Sequence, residues 1–392
     1  MEGKQNIDLA SFNLKHHNDL LWSINYKYDY MPKYKPSLPF LIDLSSFPDL
    51  EAERISVESI INILPTPTEY PIKTSEALSI NSLPISPTDA KLPWHSSIHH
   101  VRQNIHWQTV VEASKVLLYN ISSDQNATSV PNYLRKRAYM WPAASRNRLK
   151  LLTEMNAYSF IFDCVWEMND KVATEFVSSL KACVPDREDE SVSALQKAMR
   201  TTIKGLYDED GIIGNGGVEV ITTLQEFINH PPPPATFNSL REYLDYRTID
   251  IAVSYTVACA KFSLNSTVDT TSPRFARFIR LYADHLSIAN DLASFEREKR
   301  AYVKGKAHYL LNTVEEVRKM CSLDNDEAAK FATLAIQMEI EREMARELSR
   351  LDADRETSDA ERELLSALVF LAGGNVMCSV IMSRYGGERS AV

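Results

Sequence analysis

The sequence predicts an all-α protein, a long helical domain over residues 94–392 behind an irregular N-terminal extension, residues 1–93. Three observations predict it. Beyond Trp94, apolar residues recur at i, i+3, i+4 and i+7 through one stretch after another, with little of the strict alternation that marks a half-buried strand. The interruptions are turn signals that cannot continue a helix, DEDGIIGNGG at 208–217 and the run from Pro231 to Pro234. Before Trp94 the chain is rich in Pro and Ser (PKYKPSLPF, ILPTPTEYP, SLPISPTDAKLPW) and lacks a sustained helical period, so irregular chain with short helices is expected there.

In order, the pattern predicts helices over 97–121, 130–140, 145–169, 171–183, 190–206, 218–229, 237–263, 273–300, 308–320, 326–352 and 358–384. The last contains LLSALVFLAGGNVMCSVIMS, Leu364 to Ser383, which is uncharged and about long enough to cross a bilayer. Its Gly373-Gly374-Asn375 centre and the lack of a second such segment predict a central helix of a bundle and no membrane span.

A chain of 392 residues, 44% hydrophobic and 24% charged, can bury a large core. A net charge of −9 and a pI near 5.6, with no basic stripe, exclude a nucleic-acid partner. The five cysteines, Cys164, Cys183, Cys259, Cys321 and Cys378, are scattered and never spaced C-x-x-C, so reduced thiols are expected. The first thirty residues lack a basic start followed by an apolar run. A cytoplasmic protein is therefore expected, with the sequons at Asn120, Asn126 and Asn265 unused.

The chemistry concentrates in two helices. In NDLASFEREK, Asn290, Ser294 and Glu298 fall at i, i+4 and i+8. On a helix they lie at roughly 0°, 40° and 80° around the axis, so an amide oxygen, a hydroxyl and a carboxylate can point at one ion. Such hard oxygens suit Mg²⁺ or Mn²⁺, ions that also take substrate phosphates. The preceding run, FARFIRLYADHLSIAND, is largely apolar, so a buried helix carries these polar groups. The second cluster, in SFIFDCVWEMND, sets Asp163, Glu167 and Asp170 at i, i+4 and i+7 within an apolar run. Carboxylates in that setting need a counter-charge, and further divalent ions would supply it. Two such helices facing each other can clamp metal ions onto one diphosphate and make it a good leaving group.

Taken together, the two clusters resemble the class I terpene synthases, in particular the fungal-type single-domain cyclases, over roughly residues 130–390. In that family the first cluster is an Asp-rich motif and the second an (N/D)DxxSxxxE triad, and the two bind three Mg²⁺ ions on an isoprenoid diphosphate. The resemblance implies an α-bundle around a central apolar cavity. It implies metal binding by Asp163, Glu167, Asn290, Ser294 and Glu298, with Asp170 unassigned. Arg247, 43 residues before Asn290, matches the diphosphate-sensing arginine, and Arg384-Tyr385, 94 residues after it, match the C-terminal Arg-Tyr pair. Arg297 fills the basic position before the last triad residue, and Lys299 follows it. These five are the expected diphosphate-binding residues, and MWPAASRNRLKLL resembles the family's approach to the Asp-rich helix.

The sequence departs from the family at three points. Cys164 replaces the second acid of the usual Asp-Asp pair, Asp250-Ile251-Ala252 stands where relatives often carry a glycine, and Cys378 occupies a frequent tryptophan position. Tyr158, Phe162, Trp166, Tyr255 and Cys378 are the residues expected to line the cavity.

The resulting expectation is a class I cyclase, a carbon–oxygen lyase of isoprenoid secondary metabolism. It would use a Mg²⁺ cluster to ionise farnesyl diphosphate and cyclise the cation to a sesquiterpene hydrocarbon, of macrocyclic humulene type. Asp163, Arg247, Asn290, Ser294 and Glu298 would be the catalytic set, in a monomer or homodimer. The alternatives are a diterpene synthase using geranylgeranyl diphosphate and a non-catalytic helical binding protein of the same fold. The absence of D-x-D-D argues against cyclisation begun by protonation.

Overall fold

A computed structural model describes residues 21, 23–24, 26–33, 41–45, 50, 54–56, 67–121, 136–166, 194–210, 216–383 and 385–386. The protein is built on helices, with two short strand pairs among the described residues near its N-terminal side. Strand β1 (Leu41–Asp43) pairs antiparallel with β2 (Arg54–Ser56). A six-residue helix α1 (Glu76–Asn81), capped by the Ser75 side chain, leads into β3 (Ser82–Ile85). This strand pairs antiparallel with β4 (Val101–Asn104), setting Ser82 opposite Asn104 and Ile85 opposite Val101.

The predicted helix at 97–121 therefore starts only at Trp107, because its first residues are taken by β4. Tertiary partners override the local pattern there. The Asn104 amide donates to three main-chain carbonyls, those of Trp141, Pro142 and Ala144, at 3.2, 3.2 and 2.7 Å. The β3–β4 pair also crosses the boundary expected at residues 93/94. On the N-terminal side Tyr30, Met31, Ile42, Leu44, Ile55 and Tyr70 are buried in the same core as the helices.

The helices follow as α2 (Trp107–Ile121), α3 (Lys136–Met140), α4 (Arg146–Trp166), α5 (Ala194–Asp210) and α6 (Gly216–Ile228). Then come α7 (Leu240–Asp250), α8 (Val253–Leu264), α9 (Ala276–Val303), α10 (Thr313–Met320), α11 (Asp326–Ala353) and α12 (Asp359–Ile381). Side-chain caps fix several starts: Ser239 for α7, Asn312 for α10, Asn325 for α11, and a reciprocal Ser358–Glu361 capping box for α12. The predicted helix at 171–183 lies outside the described residues. The single helix predicted over 237–263 is two, broken where Ala252 adopts φ 59°, ψ 48°, a left-handed conformation that an L-residue enters at a cost.

Helix α9 sits at the centre, packed against α11 and α12. From Leu364 to Ile381 every residue of α12 except Ala367 is buried, as the central-helix reading expects. Its two glycines explain the close packing. A Cβ at Gly373 would overlap the His100 carbonyl beside β4, and one at Gly374 would overlap the Tyr139 carbonyl of α3. The apolar run that is long enough for a bilayer is thus spent on contacts within the fold.

A buried polar knot ties the N-terminal segment to α9 and α11. Glu341 accepts hydrogen bonds from Ser96 Oγ (2.7 Å), Ser97 N (2.6 Å), Ser97 Oγ (2.7 Å), His285 Nε2 (3.0 Å) and Gln337 Nε2 (2.8 Å). Burial alone would raise its pKa, but the bonds from His285, Ser97 and Ser96 hold the carboxyl below the usual glutamate range.

Candidate metal and diphosphate site

Helix α9 carries Asn290, Ser294 and Glu298 on one face, as their spacing requires. The chain end after α12 comes back to this face. Tyr385 is buried, and its hydroxyl donates to Asn290 Oδ1 at 3.2 Å. At the other end of the triad, Glu298 Oε2 accepts from Asn312 Nδ2 at 2.9 Å. The same amide donates to the Asp291 carbonyl at 2.9 Å, while Asn312 Oδ1 accepts from Val314 N at 2.9 Å as the cap of α10. One side chain thereby caps a helix and steadies a triad residue of another.

Burial, followed by the nearby charge of Asp291, pushes the Glu298 carboxyl above the usual glutamate range, against the opposing pull of Arg247, Asn312 and Ser294. Its hydrogen-bond donors among the described residues are neutral, the Asn312 amide and the Ser294 hydroxyl. A carboxylate strained by burial, beside an amide oxygen and a hydroxyl, is a donor set that fits a hard divalent cation. Among the described residues no group of three or more His, Cys, Asp or Glu is placed to hold a metal ion. The triad itself has one acidic member, and the side chains of the Asp163 cluster lie outside the described residues.

Arg247 lies deep beside the triad, bound to carboxylates of this chain. Its Nη2 and Nε reach Asp291 Oδ1 at 2.6 and 3.1 Å, and Nη1 pairs with Asp250. The second Asp291 oxygen accepts from Tyr243 Oη, Thr313 N and Thr313 Oγ1, each at 2.7 Å. Asp291, fully buried, thus joins α7, α9 and α10. Burial would lower the arginine's pKa, but the charges of Asp291 and Asp250 raise it well above normal. Burial and the adjacent Asp291 charge likewise push the Tyr243 phenol well up, so it stays a donor. Asp250 also meets His230 Nε2 at 3.2 Å; burial would raise its carboxyl, yet Arg247 and His230 hold it below the usual range.

Sequence reading missed Asp291, Asp250, Tyr243, Thr313 and Asn312. Two signals were present. Asp291 is a further carboxylate in a largely apolar helix, about 100° round it from Asn290, and Asn312 precedes Thr-Val-Glu-Glu as a helix cap does.

The remaining expected residues divide. Arg297, seven positions after Asn290, falls about 20° from it and shares the triad's side of α9. Lys299 falls about 180° away and pairs with Asp326 at the start of α11, so the structure does not bring it to the triad. It lies 5.4 Å from the centroid of Phe295, whose ring also meets Lys330 at 5.5 Å. Tyr158 is buried, its hydroxyl 3.3 Å from Thr202 Oγ1 where α4 meets α5. Tyr255 on α8 and Cys378 on α12 are buried too. The backbone of α4 is described through Trp166, but the side chains of Phe162, Asp163, Cys164 and Trp166 lie outside the described residues. So do Glu167, Asp170 and Arg384 entirely.

Comparison with known proteins bears on this arrangement. The family described as terpene synthase family 2, C-terminal metal binding, matches residues 233–342, the span from the loop before α7 into α11. Terpene cyclase 6 of Gibberella fujikuroi is 25% identical over 336 residues, covering 77% of this chain and 85% of that protein. Terpene cyclase aneC of Aspergillus aculeatus is 24% identical over 331 residues, covering 78% of this chain and 74% of that protein. Among solved structures, aristolochene synthase from Penicillium roqueforti shares the fold, with a TM-score of 0.58 at 16% identity over 70% of this chain and 94% of that one. A metal-binding family match over the residues gathered round Asn290, named cyclases similar along most of the chain, and a shared fold make this protein similar to the class I terpene synthases, enzymes that act on prenyl diphosphates.

Proposed function

We propose that the enzyme is a sesquiterpene synthase that ionises farnesyl diphosphate and closes the farnesyl cation into a macrocyclic, humulene-type hydrocarbon. The observation that carries this reading is the convergence on α9: three oxygen donors on one face, Tyr385 on the first, and Arg247 held one residue away by Asp291. Relatives named terpene cyclases support the reaction class, which sets aside the alternative of a non-catalytic helical binding protein.

In this reading Asn290, Ser294 and Glu298 would hold divalent cations, Mg²⁺ or Mn²⁺ and three in number, together with Asp163 of α4 and with Glu167. Cations held by these residues would supply charge neutralisation to the diphosphate, making it a leaving group able to depart with the electron pair of the C–O bond. Arg247, Arg297, Arg384 and Tyr385 grip the diphosphate, guanidinium groups being well matched to phosphate oxygens. The allylic cation is folded in an apolar cavity that excludes water, near Tyr158, Phe162, Trp166, Tyr255 and Cys378, until a proton is lost to the departed diphosphate. Residues 94–392 form the catalytic domain and 1–93 its extension. We further infer a cytoplasmic monomer or homodimer, a setting that suits the free thiols Cys259, Cys321 and Cys378.

The test is to incubate the purified protein with farnesyl or geranylgeranyl diphosphate, with Mg²⁺ or EDTA, and to analyse the organic layer by GC–MS. A C15 hydrocarbon formed only with farnesyl diphosphate and Mg²⁺ is expected. A C20 product alone would make it a diterpene synthase, and no metal-dependent product would sink the proposal.

A further inference from the structure

We propose that Tyr26 to Tyr30 form a positioning strap for the metal and diphosphate site, holding the chain end that places Tyr385 on Asn290. This rests on the reading of the site given above. Tyr385 reaches Asn290 because the chain turns back after α12, and among the described residues that turn carries the bonds Met382 N to Cys378 O at 3.1 Å and Tyr385 N to Met382 O at 3.2 Å. Further support comes from a segment more than three hundred residues away in sequence.

Three contacts make that support. Tyr28 N–H donates to the Val380 carbonyl at 2.7 Å. This carbonyl lies in the last turn of α12, where no later helical N–H can reach it, so the strap satisfies an acceptor the helix cannot. Next, the Tyr26 ring lies on buried Gly386, the residue after Tyr385. A Cβ at Gly386 would overlap the Tyr26 hydroxyl and stand within 3.0 Å of Cε1, so any larger residue there would displace the ring from this position. Finally, the Tyr30 carbonyl accepts from Lys330 Nζ at 3.1 Å, and the same ammonium pairs with Glu296 at 2.6 Å, two residues beyond Ser294 on α9. Lys330 is buried, and these two oxygens are partners for its ammonium.

Between these contacts Asp29 is pinned, its Oδ1 meeting His95 Nε2 at 2.7 Å and Met31 N at 3.1 Å. The strap is therefore tied through Lys330 of α11 to Glu296 of the triad helix at one end and to the Tyr385 turn at the other. It sets the distance between Asn290 and Tyr385 without itself touching substrate. A merely structural segment would affect stability; a positioning segment changes how well the site takes metal and diphosphate.

The experiment is a double-mutant cycle in the full chain, Tyr26→Ala, Gly386→Ala and the pair, with steady-state kinetics on farnesyl diphosphate at varied Mg²⁺ and a thermal melt of each protein. Loss of contacts worth about one hydrogen bond predicts that each single variant raises KM and half-saturating Mg²⁺ roughly threefold to tenfold, with kcat within about twofold. In the Tyr26→Ala background, Gly386→Ala should add nothing, since the overlap is gone. Wild-type KM and Mg²⁺ dependence in Tyr26→Ala would overturn the proposal, whatever happens to Gly386→Ala. An undiminished Gly386→Ala effect in the double variant would overturn it too. Asn290→Ala is run alongside: if it retains full turnover, the reading of the site fails and the strap with it. A dead Asn290→Ala beside an unaffected Tyr26→Ala sinks the strap alone.

Discussion

Single residues in this protein do more than one task, and the buried ones set its electrostatics. Glu341 is a clear case, a fully buried carboxylate held ionised by His285, Ser96, Ser97 and Gln337. Its folded pKa lies below the unfolded value of about 4.3, so the stability it contributes is present above that pH and lost as pH falls through the folded pKa. Glu341→Gln should therefore destabilise the protein at pH 7 by about 2–4 kcal/mol in urea melts, with the gap to wild type closing below about pH 4. A gap independent of pH would show that charge is not what the knot supplies. At this scale the sequence was readable only where chemistry is local. Asn290, Ser294 and Glu298 announce themselves by spacing along one helix. The partners of Asp291 could not be read, because Tyr243, Arg247 and Thr313 lie 48, 44 and 22 residues away and only the fold unites them.

At the level of elements, periodicity gave the long helices α9, α11 and α12 almost to their ends, since each shows a buried face to the core. It did not give the break between α7 and α8, where Ala252 takes a left-handed conformation with none of the usual turn residues to signal it. The backbone N–H of Ile251 still finds the Arg247 carbonyl at 2.9 Å and that of Ala252 the Ile249 carbonyl at 3.0 Å, so the break leaves these donors satisfied. Nor did periodicity give β4, whose pairing with β3 is a tertiary fact. The glycine pair in α12 was visible, but its reason was not. Gly374 touches the Tyr139 main chain, which cannot swing aside as a side chain would. Gly374→Ala is accordingly expected to lower stability by about 1–3 kcal/mol, despite alanine's better helix propensity. A thermal melt in which the variant matches or exceeds wild type would contradict that packing account.

For the molecule as a whole, N-terminal segments and helical bundle share one core, and Glu341, Lys330 and β4 link them. The central claim is that α9 presents a working metal site through Asn290, Ser294 and Glu298. Its most direct test is product formation from farnesyl diphosphate against Mg²⁺ concentration for wild type and Asn290→Ala, each checked for native helicity by circular dichroism. We expect a folded variant whose turnover falls at least about a hundredfold and recovers little as Mg²⁺ is raised, the loss of a contact made chiefly in the transition state. A folded Asn290→Ala enzyme with wild-type turnover at the same Mg²⁺ would contradict the account.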